Sequence, residues 1–213
     1  MKIISPILLL LIFACNSPGE KENLPHPFTE NEAPVRVIKH DLDLKKMAAL
    51  LKDAGGLTKS AQEFYKINQY KPVWLNSEAG LNKQGKELLS LLKNARHFGL
   101  EPRFYNYARL DSLENALNTE HSFEKKMTKA AGMESLLTEK YFLFGKHLNV
   151  GLIKKTDTFS SLPRKAFSVN LPEYLKKAQD SDSLIPYLLG LQPKHFPYRK
   201  LQKALENYVR NTN

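Results

Sequence analysis

The chain has 213 residues, 42% of them hydrophobic and 25% charged, with a formal net charge of +10 and one cysteine. That length suits one large domain or two small ones and is enough for a real core. The single cysteine excludes an internal disulfide, so packing alone must hold the fold.

The first segment is not part of that core. Lys2 supplies a positive charge, Ile3 to Phe13 is nearly continuous hydrocarbon, and the small Ala14 precedes Cys15. This is the pattern of a secretory signal over residues 1–14. The apolar run is shorter than the roughly 20 residues that cross a bilayer comfortably. Ile12-Phe13-Ala14-Cys15 resembles a bacterial lipobox, in which processing leaves a lipid-modified cysteine as the first residue; Phe13 departs from the commonest residue there. Cys15 is thus the expected lipid attachment site, the alternative being an ordinary secretory signal with a chance cysteine. Residues 15–40 then read as a lipidated cysteine followed by a polar tether containing Pro18, Pro25, Pro27, Pro34 and a solvated His26, with no apolar period. As a flexible coil it spans roughly 25–30 Å.

The expected location is therefore the cell envelope, lipid-anchored to a membrane, with the domain exported. Nucleic acid is not an expected partner there. Removing Lys2 with the leader takes the charge from +10 to +9. The lysines fall as scattered doublets, Lys45-Lys46, Lys125-Lys126, Lys154-Lys155 and Lys176-Lys177, which read as solvated helix faces, with attraction to anionic envelope lipid or wall as the functional alternative.

From residue 41 to 213 the pattern is helical. Leu44, Met47, Ala48, Leu50 and Leu51 share a face, Asp43 can cap the start and Gly55-Gly56 can end it. Thr58 or Ser60 can cap a second helix carrying Phe64 and Tyr65, which Pro72 forbids from continuing. The aromatics from Phe64 to Trp74 read as a core corner, with a sugar-stacking surface as the alternative. Leu81, Leu88, Leu92 and Ala95 stripe a third helix, widened by Leu89 and Leu91 and ended by Gly99. His97 at its exit suits free carbonyls and the helix dipole better than catalysis.

A shorter helix near 110–117 leads to the longest, over about 123–150. Met133, Leu137, Tyr141, Phe144 and Leu148 form one stripe, and Leu136, Leu143 and Val150 a second beside it. Its centre, Tyr141-Phe142-Leu143-Phe144, is apolar all round, so it is the expected axis of the bundle. Glu134, Glu139 and His147 lack partners at catalytic or metal spacing and read as structural. A Ser/Thr-rich loop over 156–169 and short helices over 171–178 and 184–191 follow. Pro193 and Pro197 then open a closing helix in which Tyr198, Leu201, Leu205 and Tyr208 share one face, expected to dock on the earlier core with Leu205 at its centre.

Several of these segments resemble the scaffold domain of the large L,D-transpeptidases, the bacterial cell-wall cross-linking enzymes. They are the Leu-x-Pro-x-His-x-x-Tyr-x-x-Leu-x-x-Ala-Leu-x-x-Tyr run from Leu191 to Tyr208, the Phe64-Tyr65…Tyr70-Lys71-Pro72-Val73-Trp74 corner, Ala95-Arg96-His97-Phe98-Gly99, and Leu136-Leu137-Thr138 with its aromatic helix ending in Asn149-Val150-Gly151. Phe98 stands where the family usually has His followed directly by Gly. The resemblance covers about 44–208 and implies an all-α single bundle of about seven to eight helices around a long central one, with short extended connections. It implies no catalytic residue in this chain. The enzymes of that type attack through a cysteine in a Ser-x-Gly-Cys segment, and no Gly-Cys pair occurs in this sequence.

The expected function is a non-catalytic accessory or binding lipoprotein in peptidoglycan assembly or remodelling. Its partners would be the membrane through its lipid and peptidoglycan or a separate cell-wall enzyme, with no cofactor and no metal. The alternative is the amino-terminal part of a split or truncated L,D-transpeptidase whose catalytic domain is lost or encoded separately. A hydrolase is disfavoured, because no nucleophile-base pair is recognisable.

Overall fold

The computed structural model describes residues 42–152 and 168–212. The leader, Cys15, the tether and most of the expected 156–169 loop lie outside the described residues. Lys39–Asn213 forms one compact unit.

Eight α-helices and no strand occupy the described residues. Helix α1 (Leu44–Lys52) starts where the Asp43 carboxylate accepts the Lys45 and Lys46 N–H groups, and α2 (Lys59–Ile67) starts on the Thr58 hydroxyl. In α3 (Lys83–Lys93) the cap is Asn82, whose amide oxygen accepts the Gly85 N–H at 2.8 Å. These short polar side chains satisfy N–H groups that no preceding turn can reach. The stripe expected to run unbroken to Gly99 divides at Asn94. Beyond it a 3-10 turn, Ala95–Phe98, carries the chain to Gly99, whose φ of 71° lies in the left-handed region.

A second 3-10 turn, Pro102–Tyr105, leads into α4 (Tyr107–Thr119). Helix α5 (Phe123–Val150) runs unbroken for 28 residues, about 42 Å at 1.5 Å per residue. It buries Met127, Met133, Leu137, Tyr141, Phe142, Phe144 and Leu148, and α1, α2, α3, α4 and α7 all pack on it. It is the axis of the bundle. Its second buried row is not the expected Leu136, Leu143 and Val150, which are half-buried, but Glu134, Thr138 and Tyr141.

Helices α6 (Leu171–Asp180) and α7 (Leu184–Gly190) complete the core. The Tyr141 hydroxyl donates to the Leu184 carbonyl at 3.2 Å, and the Asn149 amide donates to the Leu191 carbonyl at 3.0 Å. Gly145 makes room for this seam, since a Cβ there would meet Leu191 Cδ1 at 2.9 Å. The core is thus closed by Leu191, before the last helix begins.

Helix α8 (Phe196–Thr212) forms as expected but does not close the domain, for it has no buried residue. It rests against the Ala95–Phe98 turn through a line of half-buried residues, Tyr198, Gln202, Leu205 and Val209. Leu201 and Tyr208, expected on the docked face, are 71% and 66% exposed. Apolar periodicity sets which residues share a face, and the neighbour's shape decides how much of that face is covered. The nearest neighbour, a 3-10 turn with Gly99 behind it, is too small to cover both edges.

Candidate functional site

The most heavily constrained polar group in the described residues is Glu134. It lies on α5 with no exposed surface, yet every hydrogen bond it makes is internal. The Val73 N–H donates to Oε1 at 2.8 Å and the Trp74 N–H to Oε2 at 2.9 Å. One turn along α5, Thr138 Oγ1 accepts the Trp74 indole N–H at 2.9 Å and lies 2.8 Å from the Tyr65 hydroxyl. The Thr138 hydroxyl donates back to the Glu134 carbonyl at 3.1 Å. This assignment gives the Thr138 oxygen one proton donated and two accepted, its full capacity.

The result is a clamp holding the Pro72-Val73-Trp74 segment against the central helix. Pro72 lacks an N–H and cannot join it, so the two following amides carry the attachment. Burial pushes the Glu134 carboxyl up to about 7, against the opposing pull of the two backbone donors. Burial and the neighbouring Glu134 charge push the Tyr65 hydroxyl well above its ordinary value, so it stays a donor. Phe64, Tyr65 and Trp74 are all fully buried, and no sugar ring can stack on them. The aromatic corner is core.

The other acid-base candidates are also committed to internal bonds. Glu139 accepts the Thr58 N–H at 2.8 Å, supporting the start of α2. Tyr105 Oη lies 2.9 Å from His147 Nδ1, and burial together with Lys146 holds the imidazole below its usual pKa. The neutral ring then accepts the phenol proton and carries its own proton on Nε2. His97 is half-buried in the Ala95–Phe98 turn. Glu134, Glu139 and His147 are therefore placed as the sequence suggested, in structural roles. The Glu134 clamp itself escaped sequence reading, although a glutamate in register with Thr138 and Tyr141 on the central helix marks it.

Three of the surface cavities are open and carry polar and charged side chains. One of about 380 Å³ is lined by Leu57, Arg109, Gly132, Ser135 and Glu139 among others. A second, of about 290 Å³, gathers Lys86, Lys126, Glu78 and Glu114. A third, of about 410 Å³, lies between the ends of α2 and α6 at Asn68, Lys71, Lys176 and Gln179. None of these three is lined by a histidine. The two hydroxyls in the first both donate to carbonyls of their own helix, Ser135 Oγ to Ala131 at 2.9 Å and Thr128 Oγ1 to Glu124 at 3.2 Å. Among the described residues no three His, Cys, Asp or Glu side chains gather at metal-binding distance, and no helix is long and apolar enough to cross a membrane.

The remaining feature is a surface. Along α8, Pro197, Leu201, Ala204 and Tyr208 recur at steps of four, three and four and are all exposed. Arg199 and Lys203 lie on the other side of the helix, about 160° from Leu201, and Lys200 between them and that line lies 4.9 Å over the Phe196 ring.

Comparison with known proteins places this architecture. Neither the curated proteins nor the solved structures contain a match to the chain. The family model of the scaffold domain matches residues 59–205, which takes in every element from α2 to the middle of α8. That span includes the clamped aromatic corner, the left-handed turn at Gly99 and the aromatic axis helix, and the chain belongs to the scaffold-domain family, the family of the L,D-transpeptidase scaffold.

Proposed function

We propose that this chain is an envelope lipoprotein, anchored at Cys15, whose scaffold domain acts without chemistry of its own as an accessory or binding module in peptidoglycan assembly or remodelling. The observation that carries the proposal is membership of the scaffold family in a chain whose one cysteine is Cys15. A transpeptidase of that type works through a cysteine thioester, and the nucleophile must sit within hydrogen-bond reach of its base. A lipid-blocked residue next to a leader cannot serve.

The committed internal bonds of Glu134, Glu139 and His147 support the same reading. So does the excess of cations, which attracts anionic envelope polymers at low ionic strength. Two experiments test it. Cys15→Ala should move the domain from the membrane fraction to the soluble exported fraction with its fold intact, and retention of the variant after a high-salt wash would defeat the anchoring. Incubation of the purified domain with muropeptides and intact sacculi should yield no new cross-link and no cleavage product, but salt-sensitive sedimentation with the sacculi. New cross-links made by the domain alone would overturn the non-catalytic role.

A further inference from the structure

Helices α1 and α4 both pack on α5 and leave a strip of it open between them. Thr128, Gly132, Ser135 and Glu139 recur there at steps of four, three and four, and they form the floor of the cavity of about 380 Å³. Gly55, Gly56 and Gly132 also line it, and a Cβ at any of the three would meet nothing within 4 Å. Gly132 stands in the interior of a helix, where glycine is less favoured than every residue but proline. Neither packing nor a turn requires it, and its missing side chain keeps the groove open. The charges in the groove are unpaired. Arg109, on the α4 wall, has no carboxylate within ion-pair distance among the described residues, Glu139 included. Glu139 offers one carboxylate oxygen to the Thr58 N–H, and its second takes no hydrogen bond among the described residues. The Gly55 and Gly56 N–H groups likewise donate to no acceptor among them. Leu50, Leu57 and Leu136 supply apolar wall.

We propose that this groove binds a short peptide with free ends, its terminal carboxylate on the Arg109 guanidinium, its ammonium on the second oxygen of Glu139, and an apolar side chain against Leu57 and Leu136. The chemistry selects the ligand. A simple anion would satisfy Arg109 and be repelled by Glu139, and a simple cation would meet the reverse. A hydrocarbon would strip water from both charges and return nothing. A ligand that carries both signs around an apolar body answers every wall, and the planar guanidinium suits a carboxylate through two parallel N–H donors. The volume lies within the range of small-ligand sites. A peptide of three residues, at most about 11 Å long when extended, can lie along a floor that runs about 16 Å from Thr128 to Glu139. The bare glycine backbone lets its carbonyls approach the Gly55 and Gly56 N–H groups. The site is built wholly from the scaffold domain. It needs neither a lipid at Cys15 nor attraction to sacculi, so its failure would leave both of those standing.

The test uses Lys39–Asn213, the compact unit that contains the whole described core and lacks both leader and cysteine. It is titrated at low salt with the tripeptide Ala-Leu-Ala, with the N-acetyl form of that peptide and with its carboxyl-terminal amide, and binding is read from backbone amide chemical shifts. The free-ended peptide should move the Gly55, Gly56, Gly132 and Leu136 signals, and capping either end should weaken binding about ten-fold or more. Arg109→Gln should lose the discrimination against the amide and keep that against the acetyl form. Glu139→Gln, whose amide oxygen can still serve Thr58, should do the reverse. Gly132→Leu should abolish binding with a thermal transition no lower than the parent's, since leucine favours a helix and its Cβ meets nothing there. No binding of the free-ended peptide, equal binding of its capped forms, or undiminished binding to Gly132→Leu would overturn the proposal. So would a lowered thermal transition in Arg109→Gln with discrimination unchanged, which would make Arg109 a structural partner of Glu139.

Discussion

Glu134→Gln tests the buried clamp most directly. The carboxyl titrates near 7 in the fold against an ordinary 4.5. Between those values the folded chain holds a proton that the unfolded chain has released, so the neutral carboxyl's contribution is complete below about pH 4.5 and is lost as pH rises through about 7. A shift of that size corresponds to roughly 3 kcal/mol. In the variant, the amide oxygen can accept the Val73 or the Trp74 N–H but not both, and its own N–H₂ faces the remaining donor. That costs about 1–3 kcal/mol at any pH. Urea denaturation of both proteins from about pH 4 to about pH 8 separates the two effects, because the constant cost drops out of the pH dependence. His147, whose depressed pKa makes stability rise toward neutrality, is common to both chains and cancels in the difference. The advantage of the parent over Glu134→Gln should shrink by roughly 3 kcal/mol across that window. A difference that stays flat, or widens with pH, would mean that the two amide donors outweigh burial and hold the carboxylate ionised.

Three further outcomes follow from packing. Gly85→Ala should cost about 1–3 kcal/mol or more, read as a fall in urea midpoint, since the new Cβ would sit 2.6 Å from the Trp74 carbonyl oxygen, a backbone atom that cannot swing away. Leu191→Ala should cost about 2–5 kcal/mol, because Leu191 is buried over Gly145, whereas Leu205→Ala, at a half-buried position, should cost no more than about 1–2 kcal/mol. Deleting residues 193–213 should leave a cooperative thermal transition, and a molten chain after that deletion would restore α8 to the role of closing element.

What could be read in advance was local. Asp43 and Thr58 cap helices because a short oxygen-bearing side chain satisfies N–H groups within its own turn, and nothing distant can alter that. The limits of α5, and the burial of its central aromatics on all sides, follow from an apolar pattern too wide for a helix with a wet face. The clamp was hidden because the Glu134 partners lie 61 and 60 residues earlier and are backbone amides, which carry no residue-type signal. The face of α8 was misjudged for the complementary reason. Tyr198, Leu201, Leu205 and Tyr208 share a face by spacing, but the docked line is Tyr198, Gln202, Leu205 and Val209, displaced toward the small turn that receives it. A glutamine and a valine won places that the pattern assigned to a leucine and a tyrosine.

The clamp also gives the protein an optical property. Trp74 is the only tryptophan in the sequence, has no exposed surface, and donates its indole N–H to Thr138. All tryptophan emission therefore comes from one point beside the Glu134 carboxylate. In the native chain that emission is shielded from aqueous quenchers such as iodide, and its wavelength and yield respond to the protonation of Glu134 and to detachment of the Val73-Trp74 segment from the axis helix. Fluorescence thus reads the opening of a single anchor, while the α8 face, which carries no indole, stays dark. An anchor that opens before the helices melt would show itself as an emission change that precedes the loss of helical circular dichroism.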